Sequence, residues 1–232
     1  MIKEAMEFIQ KQAQPQWAKV HGLDYASRNV SLVLEPEPEE LRVTSLTAIA
    51  LYLKENPDAI DLNDLLLVVD GPLQVFLFSR LRTGNQRFSY LRANPVIPNF
   101  NFSQFTPLDQ FVPQIQAGFL PTQSRDSLIQ VLSHVSHDTT VKAVDDGTAQ
   151  EVEVRSGIRK VYQDLPNPVS LQEYCTFPEI EQPMITYVLR LDRKSDSLQA
   201  RLIQADGGAW RITAMERIRN WLANHVSVSI LA

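Results

Sequence analysis

A chain of 232 residues with 44% hydrophobic content can bury a substantial core unaided, and its single cysteine, Cys175, can close no internal disulfide. A disulfide-stapled secreted scaffold is therefore excluded, and a reducing cytoplasm is the expected setting. The net charge of −5 argues against broad electrostatic attachment to nucleic acid while leaving room for a local basic patch.

In chain order, Ile2, Met6, Ile9 and Ala13 recur at helical spacing and predict a helix over 2–13. Its amphipathic pattern, broken by Glu4 and Glu7, reads as neither a signal peptide nor a membrane span. Pro15 and Gly22 punctuate the next stretch, and EPEPEE over 35–40 reads as an acidic, proline-broken loop. Ser45 is placed to cap a helix, LTAIALYLKEN, that ends near Asn56-Pro57. From Leu65 the period changes to two: LLLVVD, PLQVFLFSR and QRFSYLR predict three strands, turning at Asp70-Gly71-Pro72 and Thr83-Gly84-Asn85. Phe100, Phe102, Phe105 and Phe111 crowd an irregular stretch and are expected to plug it into the core.

Helices are predicted over about 107–119 and 124–137, then strands at 139–145 and 149–159. YVLRLDR and SLQARLIQA read as a hairpin, residues 212–224 as a last helix, and VSVSIL as a last strand. Strands in hairpin-like pairs favour a mainly antiparallel α+β fold with about five helices in a single compact domain. Residues 1–40 form a leading helix and acidic loop, residues 41–232 the α+β body, with any seam near 94–107.

The chemically suggestive residues each have a plainer reading. Asp145-Asp146-Gly147 sits between alternating apolar runs, and Asp-Gly is a preferred hairpin dipeptide because glycine accepts positive φ. Asp70-Gly71 and Asp206-Gly207 repeat it. A hard cation needs several oxygens converging in space; Asp145, Asp146 and Asp206 could supply them only if the corners met. His134 and His137 share a helical face and could hold zinc, or simply favour the negative end of a helix. No phosphate loop, dinucleotide fingerprint or CxxC is present, so no cofactor is predicted. Arg80, Arg82, Arg87 and Arg92 gather around one hairpin with Phe88 and Tyr90. Alternation would put Arg80 and Arg82 on one strand face, a pattern suited to single-stranded nucleic acid or to an ordinary wet surface.

Five phrases, FTPLDQFVPQIQAGF, DDGTAQEVEVRSGI, PNPVSLQEYCTFPEIEQP, YVLRL and ADGGAWRITAMERIRNWL, occur in an order that resembles the YfdQ-like family of phage and prophage proteins. The likeness spans roughly 41–225 and implies a viral or prophage gene expressed in the host cytoplasm; the family brings no catalytic residues with it. TFPEIEQP reads locally as a stiff extended connector, with Glu179 and Glu181 facing water together. The expectation is a non-enzymatic accessory protein that forms a homo-oligomer and binds a phage or host protein, without membrane attachment. Two alternatives stand beside it: a single-stranded nucleic-acid-associated protein, and a metal-dependent nuclease or phosphohydrolase.

Overall fold

The computed structural model describes residues 2–14, 17–20, 23–26, 36–82, 85–102, 104–141, 167–194 and 197–232. They form two compact units, one of Met1–Glu37 with Leu81–Gln86, the other of Pro38–Arg80 with Arg87–Ala232. The fold is α+β, with mostly antiparallel sheets and five α-helices among the described residues.

The first unit holds helix α1 (Ile2–Ala13) and a hairpin of β1 (Trp17–Val20) and β2 (Leu23–Ala26). Periodicity finds the helix; the hairpin strands are too short to announce themselves. Ile2, Met6, Phe8 and Ile9 of α1 are all strongly exposed.

The second unit is built on two sheets. The first begins with β3 (Leu41–Val43), β4 (Leu65–Gly71), β5 (Gln74–Ser79) and β6 (Ser89–Ala93). It is completed by β11 (Ser229–Leu231), in the order β11-β4-β5-β6-β3. The three central strands form an antiparallel meander, while β3 and β11 join in parallel at the two edges. The β4–β5 turn is made by Pro72 and Leu73 after a bulge at Asp70, not by Asp70-Gly71 as the dipeptide suggests. Proline presets the first central φ of such a turn, so glycine's freedom is unnecessary there.

The second sheet comprises β7 (Thr106–Pro107), β8 (Val169–Gln172), β9 (Met184–Lys194) and β10 (Ser197–Gln204). It is antiparallel throughout, in the order β7-β10-β9-β8, and contains the expected 184–204 hairpin.

Helix α2 (Leu46–Glu55) starts where expected: Ser45 Oγ accepts the Ala48 N–H at 3.2 Å, satisfying one of the orphan donors of a first turn. Glu179 Oε1 takes the Thr47 N–H at 2.9 Å, adding a negative charge at the positive end of the helix. Helices α3 (Leu108–Gly118) and α4 (Gln123–Val141) come next. The strand expected from 139 is not there at its start, because α4 continues through Val141. Each added helical residue gains a backbone bond, and that propagation overrides the strand preference of Thr139-Thr140-Val141. The rest of 142–166, including the segment expected as strand 149–159, lies outside the described residues.

Two cores result. One joins the second sheet to α3, α4 and the start of α5 (Trp210–His225) through Phe111, Ile115, Phe119, Leu128, Tyr187 and Trp210. The other packs α2 and the later half of α5 on the first sheet through Ile49, Leu67, Leu77, Ile218 and Leu222. Helix α5 thus belongs to both. Of the four phenylalanines, Phe100 and Phe111 are core residues; Phe102 stacks on Tyr187 with centroids 5.5 Å apart, and Phe105 lies under the Arg201 guanidinium at 4.4 Å. Residues 94–107 run wholly within the second unit.

The TFPEIEQP segment is not an extended connector but a folded turn. The Gln182 side chain sits at its centre, 4% exposed. Its Oε1 accepts the N–H groups of Cys175 (3.0 Å) and Thr176 (3.1 Å), and its Nε2 donates to the carbonyls of Phe177 (3.0 Å) and Ile180 (3.3 Å). Proline cannot donate to a ladder, so a primary amide supplies the internal bonding instead. Closing the turn drives Phe177 and Ile180 into the first sheet's core while Cys175 stays in the second sheet's core. Thr176 Oγ1 donates to the Pro72 carbonyl, tying the same turn to the β4–β5 corner. Glu179 and Glu181 do not simply face water together: the first caps α2, and the second pairs with Arg217 of α5 at 3.4 Å.

Candidate functional site

In the first sheet α2 and α5 take one face. Alternation sends Leu65, Leu67, Val69, Val75, Leu77, Leu91 and Ala93 into that core. The opposite face receives Leu66 and Val68 of β4, Phe76 and Phe78 of β5, Arg92 of β6, and Leu231 of β11. Register lines them up in rows: Leu231, Val68, Phe76, Arg92 and Arg42 run side by side across the sheet, and Leu66 lies beside Phe78. The four residues of β4 and β5 are half-buried, and Leu231 is 55% exposed. A sheet apolar on both faces ordinarily has both covered; among the described residues, α2 and α5 pack on the inner one only.

The outer face has a defined polar margin. Phe76 and Phe78 stack with centroids 5.1 Å apart and planes 20° apart, and the Arg92 guanidinium lies 4.8 Å from the Phe76 centroid. Glu40 fixes that guanidinium, meeting Nε at 3.1 Å and Nη2 at 3.2 Å, and accepts the Ser89 hydroxyl as well. Arg42 approaches the same carboxylate at 3.9 Å with its own side chain largely in solvent. The result is an apolar aromatic stripe ended by two guanidiniums against one carboxylate. Such a surface suits desolvating contact with a protein, an apolar centre with a charged rim.

The arginine–aromatic hairpin is dispersed. Strand β5 stops at Ser79, before either arginine, so Arg80 and Arg82 share no strand face. Arg82 falls in the first unit and Arg80 in the second. Arg87 donates to the Ser79 carbonyl at 3.1 Å, Phe88 is buried at 7% exposure, and Tyr90 packs against the core. Arg92 alone contributes to the outer face. Phe76 and Phe78 escape a reading of the sequence because PLQVFLFSR is apolar at every position from Val75 to Phe78, which hides which side faces out.

Asp206 is committed to backbone. Its carboxylate accepts the Gly208 N–H at 3.0 Å and the Trp210 N–H at 3.2 Å, which starts α5 two residues before the predicted 212. Gly207 and Gly208 hold φ of +65° and +82°, and a Cβ on Gly208 would meet Arg211 Nη1 at 2.5 Å. Asp206→Ala is expected to lower stability by about 1–2 kcal/mol and Asp206→Asn by much less, measured by thermal unfolding, since asparagine keeps a capping oxygen. Asp145 and Asp146 lie outside the described residues. His134 is exposed on α4; His137 falls on the same helix, its side chain outside the described part. Among the described residues no three His, Cys, Asp or Glu side chains are grouped to hold a metal, and no helix is long and apolar enough to cross a membrane.

One buried titratable cluster stands apart. Glu173, 8% exposed at the end of β8, accepts the Tyr187 hydroxyl at 2.6 Å and a hydrogen bond from the Gln204 side chain. Burial raises its pKa against the opposing pull of those two bonds. Burial, reinforced by the Glu173 charge, pushes the neighbouring Cys175 thiol up to about 12 and raises the Tyr187 phenol as well. A thiol held that far from ionisation is a core group rather than a nucleophile. Compared with protein-family models, curated proteins and solved structures, the chain matches none.

Proposed function

We propose that the chain is a non-enzymatic binding protein that works by self-assembly and by engaging a protein partner through the outer face of its five-stranded sheet. The observation that carries this is the Leu66–Val68–Phe76–Phe78–Leu231 surface, apolar and only partly sheltered, opposite a face already filled by α2 and α5. Phe76 is engaged by both Phe78 and Arg92, so a nucleobase stacking on it would have to displace one of them. The Arg87 guanidinium donates to the Ser79 carbonyl and that of Arg92 is paired with Glu40, which favours a protein over a polyanion as the partner. The phage or prophage setting and the host cytoplasm belong to the same proposal, supported by the motif order over 41–225.

The test replaces both aromatics, Phe76→Ser and Phe78→Ser, and compares affinity capture from host cells with the unaltered chain. Proteins retained by the wild type are expected to fall at least about tenfold with the variant, the loss of about 1.4 kcal/mol or more from a desolvated centre. Identical capture by both chains removes the outer face as the recognition surface.

A further inference from the structure

Among the described residues the two larger sheets have four edge strands, and three of them carry a blocking device. Edge strand β3 contains Arg42 and is preceded by Pro36, Glu37, Pro38, Glu39 and Glu40. Edge strand β7 is two residues long and contains Pro107, which has no N–H to offer. Edge strand β8 is covered from outside, with Leu120 N–H donating to the Gln172 carbonyl at 2.8 Å and Tyr174 N–H to the Gly118 carbonyl at 3.0 Å. Beyond β8, the Asn167 side chain satisfies both the N–H (3.0 Å) and the carbonyl (3.1 Å) of Leu189, closing β9 at that residue. These are the devices that keep sheet edges from pairing with other chains.

The fourth edge has none of them. VSVSILA, from Val226 to Ala232, contains no charge, no proline and no glycine. Val228 and Ile230 anchor it on the core, Ser229 and Leu231 are exposed, and among the described residues β11 pairs with β4 on one side alone. Exposed strand edges recruit strands, and a short strand without charge is self-complementary in an antiparallel pair about a two-fold axis.

Resting on the self-assembly proposed for this chain, we propose that two copies join by antiparallel pairing of their β11 strands, so that the two five-stranded sheets become one. Pairing about Ile230 sets Ser229 opposite the partner's Leu231. The row Phe76–Val68–Leu231 of one copy then meets the row Ser229–Leu66–Phe78 of the other across the junction, so that a serine on each side interrupts two apolar runs.

The test is solution mass over a range of concentrations. The wild type is expected to rise from 26.3 kDa towards twice that value. Ser229→Lys puts a charge on the edge and is expected to weaken dimerisation about tenfold or more, with unchanged melting. Leu41→Lys at the blocked β3 edge is expected to dimerise like the wild type. If Ser229→Lys melts early, Leu231→Lys serves in its place, because Leu231 is already 55% exposed. A wild type that keeps single-chain mass throughout overturns the pairing, and partner capture through the outer face is then judged on its own experiment. A dimer that survives Ser229→Lys but dissociates with Phe76→Ser also overturns it, and leaves self-assembly standing through the face.

Discussion

Replacing Gln182 with alanine is expected to cost the second unit about 3–5 kcal/mol, a large share of the stability of an ordinary domain. The side chain makes four hydrogen bonds at 3.0–3.3 Å to backbone groups of its own turn. Removing it leaves the Cys175 and Thr176 donors and the Ile180 acceptor without the partner it supplied, each a loss of about 1 kcal/mol or more, while the Phe177 carbonyl keeps the Ile180 N–H at 3.4 Å. The effect propagates, because that turn carries Phe177 and Ile180 into one core while Cys175 remains in the other. Gln182→Met separates shape from bonding: it fills the same space and makes none of the bonds, so nearly the whole loss should remain. Gln182→Glu should be no better, since a carboxylate cannot donate to two carbonyls. Denaturant midpoints measure the cost, and amide exchange at Cys175 and Thr176 locates it. A Gln182→Met protein within about 1 kcal/mol of wild type would mean that packing, not the amide, holds the turn.

That turn also marks where reading the sequence runs out. Helices announced by spacing and caps are legible: α1, α2, α3 and α5 lie where Met6, Ser45, Phe111 and Ile218 suggest, as does the 184–204 hairpin. The physics there is local, within a few residues along the chain. The misread places depend on distant partners. Prolines in TFPEIEQP indicate an extended backbone, yet the segment folds because a primary amide reaches back over it. Glu179 looks like a wet carboxylate until the helix start 132 residues away comes to meet it. Strand β5 is apolar on both faces, and its own residues cannot say which side two helices will cover. The Asp206 corner reads in the sequence as a backbone device, and its carboxylate accepts two backbone N–H groups. The same kind of reading at Asp70-Gly71 misses that Pro72 and Leu73 make the turn.

Glu173→Gln is expected to flatten one part of the protein's pH–stability profile and to stabilise it at neutral pH. Glu173 faces Tyr187 from β9, Gln204 from β10 and Cys175 from its own strand's continuation, with Asp206 adding its charge near the thiol. None of these supplies a positive charge, so burial dominates and the folded-state pKa lies above the ordinary value of 4.5. The folded protein therefore binds the Glu173 proton more tightly than the unfolded chain does. Its contribution to stability is fully present below pH 4.5 and declines as pH rises from there through the folded-state pKa, at up to ~1.4 kcal/mol per pH unit, before levelling off. Other carboxylates contribute slopes of their own, so the quantity to measure is the difference between wild type and Glu173→Gln in urea unfolding across that window. The difference should grow with pH in favour of glutamine, whose carbonyl still accepts the Tyr187 hydroxyl and whose amide carries no charge to desolvate. Glu173→Leu should instead destabilise at every pH by about 1–3 kcal/mol, because it takes the acceptor from the O–H of a phenol that is 0% exposed, with Gln204 left as that phenol's side-chain partner. A difference that stays constant with pH would place the Glu173 pKa at its unfolded value, and the Tyr187 and Gln204 bonds would then have offset burial in full.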